Sequence, residues 1–166
     1  MQEEGIGPRG DEKFWKAIWT MKVPPKVRHF LWKFSRDILP TGVKVVTKNP
    51  QRSDECPFCD QKETQHHLFL ECSWSSQIGR GSPWESAFTV HGSSDCMKLM
   101  AEVMKHESLD LEESWAMVLW AIWKEKNAHL FNGPKWPEDE ILQRALSILD
   151  DYRKNQGPEE AVPGDA

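Results

Sequence analysis

Apolar residues recur along this chain at intervals of three and four, the period of a helix with one buried face, and prolines or glycines punctuate the stretches that carry them. Behind a capping Asp11, Phe14, Trp15, Ile18, Trp19 and Met21 predict a first helix, stopped by Pro24-Pro25. Val27, Phe30, Leu31 and Phe34 form a second stripe, with Lys26, Lys33 and Arg36 mostly on other faces, until Leu39-Pro40-Thr41 breaks it. Thr41 is placed to cap a short helix through Val46 or Thr47, and Thr64 one that carries His67, Leu68, Leu70 and Cys72 toward Ile78. Gly79 to Ser82 with Pro83 reads as a loop, and Met97, Leu99, Met100, Val103 and Met104 as a soft apolar stripe beyond it. Asp110 opens the strongest helix, where Leu111, Trp115, Val118, Leu119, Ile122 and Trp123 share a broad apolar side ended by Gly133-Pro134. A last helix is predicted from Pro137 through Ile141, Leu142, Ala145, Leu146 and Leu149 to about Lys154.

No stretch alternates in the manner of a strand, so the expected fold is mainly α. Residues 1–10 read as a flexible leader and 156–166, rich in proline, glycine and acids, as a disordered tail. Nine tryptophans against a single tyrosine fit large side chains wedged between helices. No run of about 18 apolar residues is present, which argues against a membrane span. The start lacks a secretory pattern, so the expected location is the nucleus or cytoplasm.

The candidate chemistry lies in Cys56-Pro57-Phe58-Cys59, followed by His67 and Cys72. Three thiols and one imidazole close a tetrahedral Zn2+ site and leave no position for a reactive water, which makes the metal structural. His66 competes with His67 for the nitrogen position; the shorter gap to Cys72, little more than one turn, favours His67. Four cysteines without a secretory leader fit a reducing compartment better than disulfides, and Cys96 reads as a free thiol.

Charge adds an asymmetry to this picture. Between Phe14 and Arg52 nine lysines and arginines face one acid, Asp37, although the whole chain carries a net charge of −5. Lys22, Lys26, Arg28, Lys33 and Arg36 can neutralise phosphates, with His29 and Trp32 as stacking groups, and no base-reading signature accompanies them. RNA or DNA is one partner that this pattern suits. The alternative is a protein-interaction scaffold, with the basic stretch solvated or paired to the acidic remainder and the Trp-rich helix from Leu111 docking a partner.

The run Pro24-Pro25-Lys26-Val27-Arg28-His29-Phe30-Leu31-Trp32-Lys33, then Leu39-Pro40-Thr41, Cys56-Pro57-Phe58-Cys59, Glu63-Thr64 and His67-Leu68-Phe69-Leu70-Glu71-Cys72 resembles the reverse-transcriptase zinc-binding domain of plant non-LTR retroelements. Trp120-Ala121-Ile122-Trp123-Lys124-Glu125-Lys126-Asn127 resembles the segment that follows it. The resemblance implies Cys56, Cys59, His67 and Cys72 as zinc ligands and a non-catalytic, nucleic-acid-handling role. It divides the chain into a zinc-binding domain over 11–80, with an embedded zinc knuckle, and a helical extension packed on it over 81–155. No paired-aspartate strand motif for two catalytic magnesium ions is found, so the chain reads as a stand-alone retroelement fragment and not as an enzyme. Zinc is then expected to support residues 53–75 more than the distal helices, which have a Trp-rich core of their own.

Overall fold

The computed structural model describes residues 12–80 and 109–156. Helices α1 (Glu12–Trp19), α2 (Pro25–Ser35) and α3 (Gly42–Lys48) are followed by a π turn (His67–Glu71) and α4 (Ser73–Gly79). After residue 108 come α5 (Leu109–Leu130), a 3-10 turn (Glu138–Glu140) and α6 (Ile141–Lys154). Strand-like pairing among the described residues is limited to an isolated antiparallel bridge between Glu55 and Lys62. No helix among them is long and apolar enough to cross a membrane. The Asp11 cap, the leader, the 97–104 stripe, Cys96 and residues 157–166 of the tail lie outside the described residues.

The stripes read from the sequence point inward. Val27, Phe30, Leu31 and Phe34 are all buried on α2, and α5 is buried over most of its girth, with Trp115, Ala116, Met117, Val118, Leu119, Ala121 and Ile122 inaccessible. A helix apolar on every side belongs in the middle of a fold, and α5 packs against α2, α4 and α6. The Phe34 ring meets Phe69 edge-on at 5.2 Å and Trp115 at 6.2 Å, so the segment that bears the zinc motif and the distal helices share one core. This replaces the two separate cores expected from the sequence.

Buried charges lock the outer elements onto α5. Glu113 accepts the Lys22 backbone N–H at 3.1 Å and pairs with Arg153 of α6 at 2.6 Å, which ties the α1–α2 turn and α6 to the same carboxylate. Glu125 accepts the Trp136 N–H at 3.0 Å and so holds the connection that leads to α6.

Three local details differ from the sequence reading. Thr41 does precede α3, but its hydroxyl caps nothing. Glu63, distant in sequence, supplies the cap instead, its Oε1 accepting the Gly42 N–H at 2.6 Å and its carbonyl the Val43 N–H at 3.2 Å. The helix expected to run unbroken from Thr64 to Ile78 is split at Cys72, whose backbone is extended between the π turn and α4. Pro137 opens a tight 3-10 turn and not the last helix itself, which begins at Ile141.

Gly42 sits where α3 touches the loop before the knuckle. A Cβ there would lie 3.0 Å from the Asp54 carbonyl carbon and 3.1 Å from its Cα, a clash with backbone that no side-chain rotation relieves. Gly42→Ala is expected to lower stability by about 1–3 kcal/mol in denaturant melts. A change within about 0.5 kcal/mol would show that the loop yields freely.

Candidate metal centre and the adjoining basic cleft

The first two cysteines stand on a tight knuckle. The Cys56 N–H donates to the Gln61 carbonyl at 2.8 Å and the Glu63 N–H to the Asp54 carbonyl at 2.8 Å, closing a short hairpin, while the Phe58 N–H points at the Cys56 sulfur at 3.4 Å. Phe58, at the knuckle's tip, stacks on Trp74 of α4 with ring centroids 3.7 Å apart and lies 4.6 Å from the His129 ring of α5. The knuckle is thus clamped in place by aromatic faces from two helices.

The second pair comes from the π turn. Thr64 caps it as expected, its hydroxyl accepting the His67 N–H at 2.9 Å. The turn closes with the Cys72 N–H on the His67 carbonyl at 2.8 Å, a five-residue step. On a regular α-helix, residues five apart differ by about 140° in direction; the wider turn brings His67 and Cys72 to the same side.

The ligand atoms of Cys56, Cys59, His67 and Cys72 all lie within 4.8 Å of one another. The Cys56 and Cys72 sulfurs are 3.8 Å apart, and the Cys59 sulfur is 3.3 Å from His67 Nε2. Around a tetrahedral ion with metal–sulfur bonds of about 2.3 Å, sulfurs stand roughly 3.8 Å apart and sulfur and nitrogen roughly 3.5 Å. The four residues therefore form a set that could hold a metal ion. His66 does not join them: its Nε2 lies 3.2 Å from Glu71 Oε2. Glu71 Oε1 also lies 3.6 Å from His67 Nδ1, on the far side of the ring from the sulfurs, where a carboxylate orients a ligating imidazole.

Among themselves the thiols of Cys56 and Cys72 compete for a proton. The hydrogen bond from Cys56 pulls the Cys72 thiol down to about 5, opposed by burial and helped by the backbone N–H groups of Trp74 and Ser75. The same bond pushes Cys56 up, and burial adds to it. A cation between them would let both be thiolates.

Residues 5–78 match the family described as zinc-binding in reverse transcriptase. That segment is similar to this family. The four clustered ligands all fall within it, while α5 and α6 lie outside it. The family is that of a zinc-binding domain and not of the polymerase itself. No curated protein and no solved structure matches the chain.

Beside the knuckle, a cleft of about 590 Å³ opens between α2, the loop from Arg52 to Pro57 and the C-terminal half of α5. Lys26, His29, Lys33 and Arg52 line it together with Trp120 and Phe131. The Lys26 ammonium stands 4.9 Å from the Trp120 ring centre and the Arg52 guanidinium 5.2 Å from that of Phe131. Glu63 and Lys126 also line it and pair at 3.3 Å, both buried.

Of the basic residues singled out in the sequence, the fold gathers Lys26, His29 and Lys33 at this cleft and directs the others elsewhere. Arg28 donates to the Met21 carbonyl at 3.1 Å and the Val23 carbonyl at 2.7 Å, holding the turn between α1 and α2. Lys22 is exposed, and the exposed Arg36 lies over the Trp32 ring at 5.2 Å; neither lines the cleft. Sequence reasoning missed Arg52, Trp120, Lys126 and Phe131 as partners of α2. One signal for Lys126 was present: it continues the series Trp115, Leu119, Ile122, a lysine in phase with a core stripe.

Proposed function

We propose that this chain is a non-catalytic, retroelement-derived module in which Zn2+, held by Cys56, Cys59, His67 and Cys72, supports a surface that binds nucleic acid with little sequence specificity. Three thiolates and an imidazole are the donor set that zinc favours in closed structural sites. The observation that carries the binding role is the cleft, where Lys26, Lys33 and Arg52 surround Trp120 and Phe131. Cations flanking aromatic rings match a polyanion with flat bases, and none of these groups is arranged as a fixed hydrogen-bonding fork for one base pair.

The test is an electrophoretic shift titration of the zinc-loaded protein across salt concentrations. Charge reversal at Lys26, Lys33 and Arg52 is expected to weaken binding on every sequence alike. It should also flatten the log-log salt slope by about two units for single strands, at about 0.7 unit for each phosphate that is no longer neutralised. Arg28 is left in place because it holds a turn. An unchanged slope, or no binding by the unmodified protein at low salt, would favour the second reading, a protein-docking surface. Leu130 and Phe131, 43% and 61% exposed at the end of α5, speak for that alternative.

A further inference from the structure

The shape of the cleft narrows the class of nucleic acid. We infer that the cleft is a seat for an unpaired base, so that the module selects single-stranded over double-stranded nucleic acid; this rests on the nucleic-acid reading above. A volume of about 590 Å³ is that of a pocket for a small organic group. A duplex presents its bases edge-on inside grooves and its phosphates outside, so it can reach the rim of such a cleft but cannot put a base face against Trp120 or Phe131. An unpaired nucleotide can do both. Its base lies against an aromatic side chain of the cleft, and its phosphates remain near Lys26, Lys33 and Arg52 at the same cleft.

A second, independent observation concerns Glu63. Its side chain is 2% exposed and lines the cleft, and while Oε1 is engaged by the Gly42 N–H and Lys126, Oε2 is buried with no hydrogen-bond partner. A buried carboxylate oxygen without a donor is costly, and the ligand that relieves it must bring an N–H or O–H. Every nucleobase carries an N–H donor on its Watson–Crick edge: the exocyclic amine of adenine and cytosine, the ring N–H of thymine and uracil, and both in guanine. In a duplex one N–H of each donor is spent on the opposite strand, and the second N–H of an amine is reached only along a groove. A donor from an unpaired base that enters the cleft is therefore what suits Glu63, which joins tolerance of sequence to a preference against duplex.

The test compares a mixed-sequence 12-nucleotide single strand with the same sequence as a blunt duplex. Binding to zinc-loaded full chain is followed at low salt by fluorescence anisotropy of a labelled oligonucleotide and by quenching of protein tryptophan fluorescence. The single strand is expected to bind at least about tenfold more tightly and to quench tryptophan. Phe131→Ala, which truncates an exposed ring and so leaves the fold intact, is expected to weaken the single strand by about 5- to 100-fold and to leave the duplex nearly unchanged. Equal or tighter binding of the duplex would overturn the inference while sparing the broader nucleic-acid reading. Wild-type single-strand affinity in Phe131→Ala, with quenching retained, would overturn the seat at this cleft. Failure of both oligonucleotides to bind would overturn both readings and point to a protein partner.

Discussion

Removing the metal ligands is expected to unfold most of this protein, not just the knuckle. Cys56 and Cys72 are themselves members of the core, 3% and 1% exposed, and Phe69, on the turn between His67 and Cys72, packs against Phe30, Phe34 and Trp123. Binding of structural zinc by small Cys/His peptides contributes about 10–16 kcal/mol, comparable to the whole stability of an ordinary domain. A loss of that size cannot be contained within one turn when the turn supplies part of the core that α2 and α5 share among the described residues. Chelation, Cys56→Ser and Cys72→Ser should each remove one bound zinc per chain and abolish the cooperative melt, with far-ultraviolet helicity and tryptophan emission changing together. His67→Ala should behave likewise and His66→Ala should retain the metal. Helicity and a tryptophan transition that persist after complete zinc removal would show that α5 and α6 stand on a core of their own. Metal retained in His67→Ala but lost in His66→Ala would exchange the histidines.

The features legible in the sequence are those written in local spacing. The quartet of Cys56, Cys59, His67 and Cys72 sits within 17 positions, and the stripes of α2 and α5 repeat at the helical period, so each could be read without knowing what lay opposite. What escaped was non-local or was a departure from the period. Glu63 caps α3 from across the knuckle, whereas local spacing points only to the adjacent Thr41 hydroxyl. A single five-residue step at His67–Glu71 leaves no periodic trace, because one turn is too short to shift a stripe. Arg28 illustrates the limit of counting charge: it sits amid the basic run yet is spent on two backbone carbonyls. The cleft needed α5 to be laid against α2, a contact between segments about 90 residues apart that no spacing rule supplies.

The second large effect is expected at Lys126, whose ammonium is buried 3.3 Å from Glu63 Oε1 and 4.2 Å from the centre of the Trp123 ring. Burial holds this ammonium below its usual range, and the attraction of Glu63 opposes that shift without cancelling it. The sign matters: at Lys126 desolvation outweighs pairing, and buried ion pairs in general add little net stability although each partner needs the other. Lys126→Met preserves the volume of the chain and leaves the Glu63 carboxylate buried without its cation, which should cost about 3–5 kcal/mol. Glu63→Gln strands the ammonium instead, with a cost of similar size, while its amide oxygen can still accept the Gly42 N–H. The double variant removes both charges and should be more stable than either single one, because a neutral pair owes far less desolvation than an unpaired buried charge. Urea melts of the four proteins in the zinc-loaded state measure the coupling. Additive losses would mean that the two side chains do not act as a pair, and a Lys126→Met loss below about 0.5 kcal/mol would mean that water reaches Glu63 once the lysine is gone.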